Sequence, residues 1–329
     1  MRSLVTGATG FLGSAVMRRL LTEGHEVRVL VREKSDLRNI KDFPVEIVMG
    51  DLRNHLSLER ALTNCQNLFH VAADYRLWVP DPDTMYAINV EGTRTLMTVA
   101  SQKNIERIVY TSSVATLGIN SDGSPASEDT PTSLETKIGN YKRSKFLAEQ
   151  LVTQLTHELS LPLVIVNPST PIGPGDIRPT PTGRLVLDAL TARMPAYLDT
   201  GLNIAHVDDI AHGHLLAFKK GKTGERYILG GDNLTLFQIL KLIDEISGVS
   251  INRVKIPTNL MLPIAWCMEK VATFTHTEPR ATLDSIRMAK NQMFFSSEKA
   301  KQQLGYRHRP AFDAIKDAVN WFKDNNYCK

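Results

Sequence analysis

Residues 4–13, Leu-Val-Thr-Gly-Ala-Thr-Gly-Phe-Leu-Gly, restrict what this chain can become more than any other stretch. A short apolar run enters a turn built on Gly7 and Gly10 and leaves through Ser14-Ala15-Val16-Met17, the first turns of a helix. Such a turn needs positions without a Cβ, so that backbone can approach an anion and the helix N-terminus can present its unpaired N–H groups. A second strand-like run, Glu26 to Val31, follows as a βαβ unit requires. The expected ligand is the pyrophosphate of a dinucleotide. The spacing is Gly-x-x-Gly-x-x-Gly rather than the general Gly-x-Gly-x-x-Gly, and the competing reading is a turn that only joins strand to helix.

After the second strand stands Arg32, where the general fingerprint places an acid for the ribose 2′-hydroxyl of NAD. An arginine suits a 2′-phosphate, so NADP is the expected cofactor and NAD the alternative. The plainer reading of Arg32 is an exposed residue opening the loop Arg32-Glu33-Lys34. Further strands are expected at 45–49, 67–71, 107–111 and 163–167, with helices at 57–62, at 86–101 and around 141–149. This alternation argues for an α/β chain, a Rossmann-type doubly wound parallel sheet. Asp51, at a strand's carboxyl end, either accepts from an adenine amino group or caps a turn. Ala72 and Ala73 are small where a cofactor needs close approach. Loop 74–83, with Tyr75, Trp78 and two prolines, either covers a substrate or plugs the sheet edge.

Beyond Asn167, Pro168, Pro171, Pro174, Pro179 and Pro181 are expected to break regular structure and mark a boundary. The dinucleotide-binding domain is therefore placed at 1–170, joined by about 206–230 returning to the sheet. A smaller C-terminal substrate domain takes 171–205 and 231–329, with helices at 236–247, 260–274 and 311–323.

A hydrophobic content of 42% over 329 residues supports a real core, and a scattered net charge of +4 gives no reason to expect nucleic acid. Cys65, Cys267 and Cys328 have no metal-ligand spacing and fit free thiols in a reducing, cytoplasmic setting; no metal is expected. The chain opens straight into its first strand, with no room for a signal sequence, and no apolar run reaches membrane-spanning length. The nearest, Leu260 to Met268, contains Pro263 and is expected as a buried or pocket-lining helix, with a greasy surface for a lipid-like substrate as the other reading.

Tyr141 and Lys145 lie four apart on an expected helix and share a face. A nearby ammonium favours the phenolate and lowers a tyrosine's pKa, so Lys145 is expected to tune Tyr141. Ser113, at the end of the preceding strand, is placed to hold a carbonyl or alcohol against the tyrosine. With a nicotinamide beside them, these groups suffice for hydride transfer coupled to proton transfer.

The Thr-Gly-x-x-Gly-x-x-Gly loop and the Ser, Tyr, Lys set resemble the extended short-chain dehydrogenase/reductases over essentially the full length. Segments 72–78, 110–118, 141–149 and 167–171 look like the hopanoid-associated sugar epimerases of bacteria, a subgroup similar to dihydroflavonol 4-reductases and to NAD-dependent epimerase/dehydratases. The resemblance implies that Gly7, Gly10 and Gly13 hold the pyrophosphate, with Thr9, Phe11 and Leu12 also at the cofactor. It places Asp51 and Leu52 at adenine, Ala72 and Ala73 at the ribose, and Pro168, Ser169 and Thr170 near the nicotinamide. Ser113, Tyr141 and Lys145 would be catalytic, Tyr141 as acid/base, with Tyr141 and Lys145 also touching the cofactor. His206-Val207-Asp208-Asp209 is assigned to a helix start, where carboxylates favour the dipole. A homodimer is the family expectation.

The resulting reading is an NADP-preferring oxidoreductase acting on an alcohol or carbonyl of a sugar-like or isoprenoid-derived small molecule, with hopanoid biosynthesis as a setting. A sugar epimerase with retained NAD is the alternative, for which Arg178 and Arg184 are the candidates to cradle a sugar diphosphate. A non-catalytic NADP-binding sensor is the alternative of another class.

Overall fold

In the computed structural model, which describes residues 1–79, 81–249, 251–275, 277, 279 and 281–328, the β-branched and aliphatic runs form strands and the runs between them cover both faces. Pro80, one of the two loop prolines noted above, lies outside the described residues.

β1 (Arg2–Thr6) leads to α1 (Phe11–Thr22), β2 (Glu26–Val31), β3 (Glu46–Met49), α2 (His55–Leu62) and β4 (Asn67–His70). The stretch expected as one helix is α3 (Pro82–Tyr86), a π-helical turn at Ala87–Gly92 and α4 (Thr93–Gln102). Then come β5 (Arg107–Thr111), α5 (Gly139–Glu158), β6 (Leu163–Pro168), β7 (Thr170–Ile172) and α6 (Pro181–Leu190). β8 (Ala196–Tyr197), β9 (Gly201–His206), α7 (Val207–Lys220), β10 (Arg226–Leu229), β11 (Asp232–Thr235) and α8 (Leu236–Ser247) follow. The chain ends with β12 (Val254–Lys255), α9 (Thr258–Thr275), α10 (Leu283–Met288), β13 (Gln292–Met293), α11 (Glu298–Leu304) and α12 (Ala311–Asp324).

Seven strands form one parallel sheet in the order β10-β6-β5-β4-β1-β2-β3. Side-chain alternation sorts its core into two layers. Val5, Val29, Phe69, Val109 and Val164 pack with α1, α7 and α11 on one face. Leu4, Leu30, Leu68, Ile108 and Leu163 pack with α2, α4 and α5 on the other. The chain order reverses between β1 and β4, which opens a crevice at the carboxyl edge, the place where open α/β sheets take ligands.

A second sheet, β11-β9-β13 with β7 against β9, carries α6, α8 and α12 over a third core around Ile204, Ile239, Ile315 and Phe322. The prolines after Asn167 do not prevent regular structure as expected. Pro171 sits inside β7, and Pro181 opens α6, where its missing N–H costs nothing because the first turn has no partner for it. Thr180 caps that helix, its hydroxyl accepting from Gly183 N at 3.1 Å.

α9 departs from expectation in another way. Its small residues Ala265 and Ala272 are buried, while Leu260, Ile264, Val271 and Phe274 face out. Among the described residues no helix is long and apolar enough to cross a membrane, and no His, Cys, Asp and Glu cluster could hold a metal.

Phe322 is wholly buried in the third core. Phe322→Ala is expected to destabilise the fold by about 3–5 kcal/mol, read as a lowered denaturation midpoint; a loss within error would contradict that packing.

Candidate active site

The glycine loop is shaped by backbone crowding. Gly7 has φ +76°, and a side chain there would begin 2.7 Å from Ala72 N. A Cβ on Gly13 would overlap the Gly7 carbonyl. Gly10 N donates to Gly7 O at 2.9 Å, closing the turn. α1 starts at Phe11, earlier than Ser14, with Gly10 as an N-cap that offers no side-chain acceptor and with no acid in its first turn. The N–H groups of Phe11, Leu12 and Gly13 are thus left for an anion, the donor set that a pyrophosphate needs. Thr9 lies half-buried in the same turn.

Beneath the loop, Thr6 Oγ1 accepts from Val71 N and Ala72 N at 3.2 and 3.1 Å and bonds His70 Nδ1 at 2.7 Å. His70 Nε2 reaches Thr93 Oγ1 at 2.9 Å. Burial, and then the charge of Lys145, hold this histidine down to about 3, so it is a neutral strut. Asn39, which carried no sequence signal, donates to Gly175 O at 3.1 Å and Gly10 O at 3.5 Å. It ties the glycine loop to the segment after β7.

At the adenosine end, Arg32 is exposed just past β2. Asp51 is held bidentately by Arg53 at 2.9 Å, and that pairing, with a smaller contribution from Arg32, keeps its carboxyl below the ordinary range. Leu52 is buried against Gly92. Ala72 and Ala73 are half-buried past the end of β4.

Ser113 follows β5 and caps a short turn, its Oγ accepting from Ala115 N at 3.1 Å. Tyr141 is half-buried in the first turn of α5, near enough to Ser113 for the serine side chain to act on its hydroxyl. Lys145, one turn on, is buried, with Nζ 2.9 Å from Thr111 O and 3.4 Å from Tyr110 Oη. The three predicted residues therefore meet at the carboxyl edge of β5. Their electrostatics differ from expectation: burial pushes the Tyr141 hydroxyl up, and the Ser113 hydrogen bond, rather than Lys145, draws it partly back. Burial lowers Lys145 to about 8, with Glu149 opposing.

Several residues beneath this set carried no recognisable signal. Glu149 Oε2 accepts from Asn167 Nδ2 at 2.7 Å and Thr116 Oγ1 at 2.8 Å, and Oε1 meets Arg226 at 3.1 Å. Asn167 Nδ2 also donates to Ser113 O at 3.1 Å. Asn89, in the π-helical turn, bridges Ser144 Oγ at 3.0 Å and both backbone groups of Asp74. That turn fastens the start of loop 74–83 to α5.

Pro168 ends β6 and Thr170 opens β7; between them Ser169 N donates to Leu229 O at 3.1 Å. The buried Ser112 Oγ, Ser169 Oγ and Asn167 Oδ1 have no hydrogen-bond partner among the described residues. Orphaned polar atoms at the crevice floor fit a ligand with amide and hydroxyl groups. Across the crevice, Tyr75, Asp176, Arg178 and Arg184 lie within one another's fields. Arg178 is mostly exposed, 3.9 Å from Asp36. Burial lifts Asp176 to about 6, against hydrogen bonds from Thr180 N and Oγ1 at 2.9 and 2.8 Å. His206 caps α7 as expected, its Nδ1 accepting from Asp208 N at 3.0 Å.

The family model described as "NAD dependent epimerase/dehydratase family" matches residues 3–230. A putative dihydroflavonol 4-reductase of Synechocystis is 44% identical over 99% of this chain and 95% of its own. Sterol demethylase protein B of Methylococcus capsulatus is 35% identical over 98% and 99%. The crystal structure of gox2253 is 52% identical, with a TM-score of 0.90 over 99% of each chain.

Gly13→Ala is expected to weaken nucleotide binding by at least about tenfold in a calorimetric titration, because the loop must move to admit the methyl group and loses a backbone contact to the phosphates. Unchanged affinity would contradict the cradle.

Proposed function

The chain belongs to the NAD dependent epimerase/dehydratase family, and on that premise we propose that it is an NADP-preferring reductase of a carbonyl on an isoprenoid-derived or sugar-like small molecule. Its cofactor is of the NAD(P) type. The observation that carries the reading is the convergence of Ser113, just past β5, with Tyr141 in the first turn of α5 and Lys145 one turn on, its ammonium anchored on the Thr111 carbonyl.

Bound in the glycine cradle, the dinucleotide supplies the hydride. The rest falls to the protein. Ser113 Oγ orients the substrate oxygen, and Tyr141 Oη delivers its proton to that oxygen. Burial leaves the Tyr141 hydroxyl protonated at neutral pH, and the Ser113 side chain, which draws its acidity partly back, eases release of that proton to the substrate. Lys145, fixed by the Thr111 carbonyl, keeps positive charge at the crevice floor, where we assign it to hold the bound dinucleotide. Gly7, Thr9, Gly10, Phe11, Leu12 and Gly13 take the pyrophosphate, Leu52, Ala72 and Ala73 the adenosine, and Pro168, Ser169 and Thr170 the nicotinamide end.

NADP preference is supported by Arg32, an exposed guanidinium past β2 where NAD sites use an acid, and by Arg53 beside it on Asp51. The name of one relative, a putative dihydroflavonol 4-reductase, supports a net reduction, and that of another, a sterol demethylase protein, supports a ring system of isoprenoid origin. The family's printed description favours a second reading, epimerisation on a retained cofactor. Protein that purifies with tightly held nucleotide and consumes no added NADPH would select it. A non-catalytic sensor has no use for the Tyr141–Lys145 pair. We assign substrate contacts to the smaller module, 171–205 and 231–329, across from residues 1–170, and place a dimer contact on the helices flanking α5.

Tyr141→Phe is expected to lower carbonyl reduction by about 10²–10⁴-fold while nucleotide still binds; full turnover would overturn the reading. The Lys145 ammonium is charged below about 8 and loses its proton above, so reduction should hold near neutrality and fall as pH rises through about 8. A rate unchanged well above that range would remove Lys145 from the mechanism.

A further inference from the structure

Down the axis of α9, Leu260, Pro263, Ile264, Cys267, Val271 and Phe274 fall within an arc of about 100°. All six are exposed, Phe274 by 89%. The helix's one carboxylate, Glu269, points the other way and accepts from Leu283 N at 2.8 Å. Trp266 and Lys270 edge the arc, the ammonium 5.7 Å from the indole centroid. The exposed Lys290 follows α10, which packs on α9.

We infer that α9 docks this protein on the surface of an anionic lipid bilayer, its apolar arc dipped into the interface and Trp266 and Lys270 at headgroup level. Three observations select that occupant. An apolar arc with an indole and an ammonium on its rim, and no acid facing out, is the composition of helices that lie in the bilayer interface. Charge complementarity runs the same way, since Lys270 and Lys290 would meet anionic headgroups. A second copy of the chain is a poorer fit, because stable protein interfaces use about 20–30 residues a side and this arc offers six.

The covered side of α9, opposite the arc, connects to the site helix. Through α10, Asp284 Oδ2 comes to 3.2 Å from where a side chain on Gly139 would begin, and Gly139 is the first residue of the helix that carries Tyr141. The inference stands apart from the reductase reading, since it rests on α9 and the neighbouring Lys290 and on none of the site residues.

The test is flotation of the full-length protein with phosphatidylcholine vesicles, with and without phosphatidylglycerol. The wild type should float with the anionic vesicles, its Trp266 emission shifting to the blue, and Trp266→Phe should remove the shift. Ile264→Glu with Val271→Glu should cut the bound fraction by at least about tenfold, and Lys270→Glu should erase the preference for anionic vesicles. Nucleotide titration should be unchanged in each variant, showing that the fold survives. Failure of the wild type to float, or flotation of the double variant as before, would overturn the inference. So would a dimer in sedimentation velocity that the double variant dissociates while vesicles go unbound, which would give the arc to a second copy.

Discussion

A single buried carboxylate fixes the geometry on which the crevice depends. Glu149 lies inside α5, under the sheet's carboxyl edge, where an uncompensated charge would be strongly destabilising. It is compensated on both oxygens, by Asn167 and Thr116 on one side and by Arg226 on the other. Those partners belong to β6, to the turn after Ser113 and to β10, so one side chain sets the distance between α5 and three pieces of the sheet edge. Because Asn167 also holds the Ser113 carbonyl, the Ser113–Tyr141 approach is over-determined from below.

The two neutral histidines extend this support. His70 joins β1, β4 and α4 through Thr6 and Thr93, while His214 joins β5 to α7 by bonding Thr111 Oγ1 at 2.9 Å and Ile210 O at 2.8 Å. Thr111 is also the residue whose carbonyl anchors Lys145. Burial keeps both imidazoles uncharged, so the lysine is the cation at the crevice floor. Polar groups are thereby spent on rigidity under the site, while Ser112 Oγ, Ser169 Oγ and Asn167 Oδ1 beside it are among the buried polar atoms without a partner in the described residues.

The local features were legible in the sequence, and the long-range ones were not. Gly7 and Gly13 announce a close-packed turn because a side chain at either would collide with backbone, and Tyr141 with Lys145 announces a shared face because helical spacing is fixed. Glu149, Asn167 and Arg226 are separated by up to 77 residues, and no spacing rule links them. Pro181 was misread because proline ends one helix and begins another with equal ease. For α9 the apolar pattern was visible but not which face would be covered; small alanines went in and the bulky residues stayed out. Lys145 was expected to set the acidity of Tyr141, yet desolvation outweighs it.

On the proposed reading, Tyr141 is the proton donor and the exposed Arg32 meets a nucleotide that is drawn from solution and released again. Calorimetric titration of nucleotide-free protein with NADPH and with NADH tests this most directly. The account predicts reversible binding of both, NADPH the tighter by at least about tenfold through Arg32. Tighter binding of NADH, or a nucleotide that cannot be stripped from the native protein, would contradict it.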